Sequence, residues 1–324
     1  MEPSRANNGR MFDLFAQPFR ILRVDPTATN KQIEDAFNIA QQVPGASADA
    51  LIFARDALRD PPRRLSYELS YPLDCPASEI EVFYGALSID APTEKLLQFA
   101  DLLWPLARAN FVADIASRRP ADGALLYALL ESHTSIDATE IYAKLKAART
   151  TAEIPTPSWI SINQGLDDLL DTHAAAAFGG YDTIQDAAGP MLECTKQALA
   201  HGERHHLEAL GGILASYRKA TDPVRMDAAE HIESACEALQ QRPNDAPLIE
   251  ELSNAVLLWT SLWRPILIWE AYLGRRELDF ETPIEQLRTL IANSVENKQY
   301  ELAIKTVDLT LSFGSRAAKL LRSA

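Results

Sequence analysis

Glycine is scarce in this chain, at 13 of 324 residues. Stretches of alternating β-branched and polar residues are almost absent. Sheet proteins need both, the first for tight hairpin turns and the second for a half-buried strand face, so a β fold is excluded. Cysteine is limited to Cys75, Cys194 and Cys236, far apart and without a CxxC pair, which argues against a disulfide framework or a zinc ribbon. Basic residues are outnumbered, 31 Lys/Arg against 45 Asp/Glu, for a net charge of -14. A chain of that sign lacks the surface that phosphate contacts require, so a general nucleic-acid binder is not expected. The deficit lies beyond residue 70, where 22 basic residues face 36 acidic ones. No long apolar run is present either. The most apolar segment, Ala255 to Leu273, is interrupted by Arg264, Pro265 and Glu270 and reads as a buried helix, without stable membrane insertion. The polar opening MEPSRANNGRMFDLFAQPFR lacks the apolar core of a secretory signal, and the expected location is cytoplasmic.

Apolar residues spaced i, i+3, i+4, i+7 recur throughout, with 47% hydrophobic and 23% charged residues. That is the pattern of a globular all-α protein. Ile33, Ala36, Phe37 and Ala40 define one helix face behind Thr29 as N-cap. Leu51, Ala54, Ala57 and Leu58 define a second, stopped by Asp60-Pro61-Pro62, and a short third helix follows to about Ser70. Further helices are predicted near 77–87, 93–117, 121–133, 137–149, 158–173, 181–200, 203–219, 224–241, 246–273, 283–295 and 299–313, with a short terminal one. The prolines of Thr151 to Pro157 mark the clearest linker. Three regions are expected: 1–75, a connecting region 76–150, and a C-terminal helical array 151–324 built as a bundle or solenoid of helix pairs. Within the array, Asn297 to Ile304 resembles one hairpin of a tetratricopeptide repeat, without the repeated period that would define an array of them.

Two segments near the N-terminus carry a family resemblance. Phe19-Arg20-Ile21-Leu22-Arg23-Val24 is followed by Ala28-Thr29, Ile33 and Ala36-Phe37, and later Ala57-Leu58-Arg59-Asp60-Pro61 is followed by Arg64 and Tyr67-Glu68. In order and spacing these resemble the J domain of DnaJ-type proteins. Phe19, Leu22, Ile33, Phe37, Ala54, Leu58 and Tyr67 are the expected small core, and Arg64 is placed to reach helix ends or a carboxylate. The resemblance implies a helical hairpin that docks on a partner. Between the helices, where the family carries His-Pro-Asp and stimulates a DnaK-type ATPase, this chain carries Gln41-Gln42-Val43-Pro44-Gly45-Ala46. The preceding helix sets Lys31 against Glu34 and Asp35 and so lacks the basic face of an activator. The module is therefore J-like but degenerate.

Catalytic constellations are missing from the sequence. His201, His205 and His206 flank Gly202, which breaks the helix that would align them, and no third metal ligand stands at a fitting spacing. Gly179-Gly180 and Gly211-Gly212 have no Lys-Ser/Thr and no preceding strand, so they are not phosphate loops. Trp259, Trp263 and Trp269 stand out as a possible partner anchor, although a central core helix is the favoured reading. No catalytic residue, cofactor or metal is expected. The function expected is a non-catalytic adaptor or assembly factor whose partners are proteins, a DnaK-type chaperone or a J protein among the candidates. Two alternatives stand beside it: a divergent co-chaperone that recruits such a chaperone, and, less favoured, an enzyme with a histidine-containing metal site.

Overall fold

The computed structural model of the chain describes residues 12–275 and 280–321, with side chains as far as residue 310. Among the described residues there are fifteen α-helices, two 3-10 turns and no strand. The protein is all-α. Its contacts divide it into two compact units, the first formed by Met1–Asp182 with Arg204–Ile213, the second by Thr183–Glu203 with Leu214–Ala324.

The first unit opens with α1 (Pro18–Leu22), α2 (Asn30–Ala40), α3 (Ala48–Arg59) and α4 (Pro61–Leu69). Thr29 caps α2 in a reciprocal box with Gln32: the Thr29 hydroxyl accepts from the Gln32 amide, and the Gln32 side chain accepts from the Thr29 amide. Ser47 caps α3, and Pro61 starts α4 where a missing N–H costs nothing. α1 and α2 both pack against α3. Their apolar stripes meet in one cluster containing Phe19, Leu22, Ile33, Phe37, Ala54 and Leu58, with Tyr67 packed on its edge. All seven residues expected in that core are together.

Behind this hairpin follow α5 (Ile80–Leu87), α6 (Thr93–Ala100), α7 (Pro105–Arg118), α8 (Gly123–Thr134), α9 (Ala138–Thr151) and α10 (Trp159–Gly179). The central element is α7, buried almost continuously from Leu106 to Ala116 and packed by α5, α6, α8 and α10. The sequence pattern predicted one helix across 93–117, but it breaks before Pro105, where Trp104 is extended. A residue preceding proline is pushed out of the α region. The restart is then held by Asp74, whose buried carboxylate accepts from the amides of Leu106 and Ala107 at 2.7 and 3.0 Å.

The second unit contains α11 (Ala188–His201), most of α12 (Arg204–Gln241), α13 (Ala246–Tyr272), α14 (Glu281–Glu296) and α15 (Tyr300–Leu321). α13 packs against α11 and α15, and α14 against α15. A single helix, α12, replaces the two predicted at 203–219 and 224–241, a single α15 replaces the helix predicted at 299–313 and the short terminal one, and the helix expected from Tyr181 begins as a 3-10 turn (Ile184–Ala187) before α11. Pro223 lies inside α12 and interrupts one rung of its hydrogen-bond ladder. Side chains bridge the turn beside it: Thr221 Oγ1 donates to Tyr217 O, while Arg225 donates to Arg218 O and to Thr221 Oγ1. Thr221 and Arg225 are both buried, so these bonds are sheltered from water.

Candidate functional site

The residues carrying the N-terminal resemblance separate into a packed interior and a rim. Phe19, Leu22, Ala28, Ile33, Phe37, Ala57 and Leu58 are buried, and Val24, Asp60, Pro61 and Tyr67 are half-buried around them. Arg64 is fully buried and structural. Its Nε donates to Glu68 Oε1 at 3.0 Å, Nη2 to Pro26 O at 2.7 Å and Nη1 to Ala28 O and Leu58 O. One planar guanidinium thus fastens the loop before α2 and the end of α3 to α4. Burial draws its pKa down and the adjacent Glu68 carboxylate pulls it back up.

Glu68 is shared with a second arginine. Arg149, on α9, donates Nε to Glu68 Oε2 at 2.9 Å, Nη1 to Pro155 O and Nη2 to Pro61 O. All three side chains are at most 2% exposed. Arg64 is expected from the sequence to reach helix ends or a carboxylate, whereas Arg149 lies 81 residues from Glu68. No local signal announces such a pair. The base of the hairpin is therefore locked to the α9 end of the unit, and the segment with Pro155 is tied down with it.

The tip is the opposite case. Every residue from Gln41 to Asp49 is exposed, and Ile39 and Val43 hold apolar side chains in solvent at 67% and 55% exposure. Along the flank, Glu34 receives Arg59 at 3.0 Å and Arg55 at 4.0 Å. Glu34 is thereby paired from α3, leaving a tip that displays Ile39 and Val43.

The remaining sequence candidates are placed as follows. Trp259 and Trp263 are buried, with Trp259 stacked on Phe280 at 4.4 Å and the Arg225 guanidinium 4.3 Å from the Trp263 ring centroid. Both rings face the interior of their unit, while Trp269 is half-buried and stacks on the exposed Tyr272. Gly202 ends α11 in the left-handed region at φ 66°, which breaks the helix between His201 and His205 as expected. His206 stacks on Tyr127, and His205 is exposed beside Glu208. Among the described residues no group of three or more His, Cys, Asp or Glu is arranged to hold a metal ion. Gly179 ends α10 with Gly180 in the turn that follows it, and Gly211-Gly212 lie within α12. The three cysteines are buried thiols; burial pushes Cys75 up to about 11 and Cys194 and Cys236 up to about 12. They are poor nucleophiles in that form. No described helix is long and apolar enough to cross a membrane.

A part-buried histidine pair has no local signal in the sequence. His133 on α8 and His173 on α10 lie with Nε2 and Nδ1 3.0 Å apart, and the Phe12 ring meets His173 edge-on at 4.5 Å. Burial lowers His133 to about 4 and His173 well below the usual range, the second also disfavoured by its neighbour. The pair is neutral at pH 7, one ring donating to the other.

No family model, curated protein or solved structure matches the chain.

Proposed function

We propose that this chain is a non-catalytic protein–protein adaptor or assembly factor, and that its N-terminal hairpin is a degenerate J-like docking module. The observation carrying this reading is the contrast within α2 and α3: a base immobilised by Arg64, Glu68 and Arg149, and a tip on which Ile39 and Val43 stand in solvent. Exposed apolar side chains on a stiff scaffold bind at low entropic cost, because little has to be ordered on association. The absence of His-Pro-Asp and of a basic face on α2, where Glu34 and Asp35 stand against Lys31, favours docking over activation of a DnaK-type ATPase.

The test is site-specific photocrosslinking from position 43 in native lysate, combined with the ATPase rate of the cognate DnaK-type chaperone. A crosslinked protein that disappears with Ile39→Asp, and an ATPase rate unchanged by the chain, are the expected results. Stimulation of the ATPase would replace the adaptor reading by that of a co-chaperone. A tip that captures nothing would remove both.

A further inference from the structure

The second unit carries a groove of about 530 Å³ between α12 and α13. Ala228, 2% exposed, and the half-buried Ala255 and Leu258 form its floor, and the exposed Asp227, Glu250 and Glu251 form its rim. The space exists because alanine, whose side chain ends at Cβ, stands at both 228 and 255. Along α13 the lining runs from Pro247 to Leu258 at three- and four-residue spacing, so one face of that helix looks into the groove over ~16 Å, about three turns. An apolar floor left open to solvent is a surface that a partner can cover.

Charge sets the kind of partner. Between Met226 and Trp263 stand seven carboxylates and a single arginine, Arg242, which is paired with Asp245 at 3.0 Å. Glu230, Glu233, Glu237, Glu250 and Glu251 are exposed and form no ion pair among the described residues. The imidazole in the lining registers the same field: the His231 pKa is raised by its hydrogen bond to Asp227 O and by the Asp227 carboxylate, with Glu251 and Glu230 adding to it. A surface of one sign attracts and orients a partner of the other. Shape narrows the partner further. An extended peptide docks by adding to a sheet edge, and no strand occurs among the described residues, whereas two helices side by side leave a channel that takes a third.

We propose that this groove docks a basic amphipathic helix from another protein, its apolar side chains on Ala255 and Leu258 and its Lys and Arg side chains against Asp227, Glu250 and Glu251. The surface lies in the other unit from the hairpin tip, and the proposal stands or falls separately from that reading.

Fluorescence anisotropy of a labelled peptide titrated with the full chain decides it. The probe is a blocked peptide of Leu, Ala and Lys about four turns long, with its leucines on one face. It should bind saturably, and Glu250→Lys with Glu251→Lys should weaken it about tenfold, since each reversal replaces a rim attraction by a repulsion. Ala255→Gln, which fills the floor without changing charge, should weaken it about fivefold. Glu233→Lys with Glu237→Lys alters the net charge equally on α12 outside the lining, and should leave binding within about threefold. The four glutamates are exposed, so both double variants keep the fold, and an unchanged circular dichroism spectrum checks this for Ala255→Gln as well. Equal loss in the two double variants, equal binding of a scrambled peptide of the same composition, or no saturation by ~1 mM chain overturns the proposal. Self-association of the chain alone in sedimentation, abolished by the 250/251 reversal, would assign the groove to a second copy and overturn it too.

Discussion

Replacing Glu68 by glutamine tests the reasoning about the buried triad most directly. The substitution conserves volume and removes the single negative charge facing two guanidiniums, of which Arg64 is 0% and Arg149 2% exposed. The new amide also turns an N–H₂ toward groups that can only donate. Breaking a buried ion pair from one side costs ~3–5 kcal/mol, and a domain of this size shifts by ~2–4 °C per kcal/mol, so the melting temperature of the first unit should fall by roughly 6–20 °C. Trp104 and Trp159 report on this unit, while Trp259, Trp263 and Trp269 report on the other. A single-tryptophan variant carrying Trp159 therefore follows this unit in guanidinium chloride, and its midpoint should move to lower denaturant. An apolar triple replacement of Arg64, Glu68 and Arg149 should not restore stability, as it often does for isolated buried pairs. Here the guanidiniums also donate to the carbonyls of Pro26, Ala28, Leu58, Pro61 and Pro155, which would lose their partners. A Glu68→Gln change below ~0.5 kcal/mol, the size of an ordinary surface substitution, or full recovery in the triple variant, would refute the assignment.

The His133–His173 pair should make the first unit acid-sensitive. With His133 lowered from 6.5 to about 4, the unfolded chain takes up protons that the folded chain refuses, so the pair's stability is intact above pH 6.5 and is lost as the pH falls toward 4. The expected slope is about 1 kcal/mol per pH unit, after allowance for partial exposure; denaturation midpoints at pH 7.5 and 5 measure it, and an equal slope in His133→Gln would contradict it. Asp74→Ala removes two amide acceptors at the start of α7 and should cost ~1–2 kcal/mol in the same unit, read from equilibrium denaturation with Trp159. Thr29→Ala opens the capping box of α2 and should cost about 1 kcal/mol, detectable as faster amide exchange in the first turn of that helix with little change in α10.

What the sequence determined by itself is everything that depends on neighbours within one or two turns. The all-α class follows from apolar spacing, the start of α2 from Thr29, the end of α3 from Asp60-Pro61, and the hairpin core from the stripes of Ile33, Phe37, Ala54 and Leu58. These are local because a cap, a proline ring and an amphipathic face act over a few residues. Tertiary structure alone decided the fate of two prolines. Trp104-Pro105 became a helix break capped by Asp74 from 32 residues away, whereas Pro223 stayed inside a continuous α12. It also decided which charges and rings meet. Glu68 with Arg149, His133 with His173, and Gln17 with the backbone of Ser70 are 40 or more residues apart. A side chain's charge and donor count are written in the sequence, but its partner is set by which helix faces come together when the apolar stripes are buried.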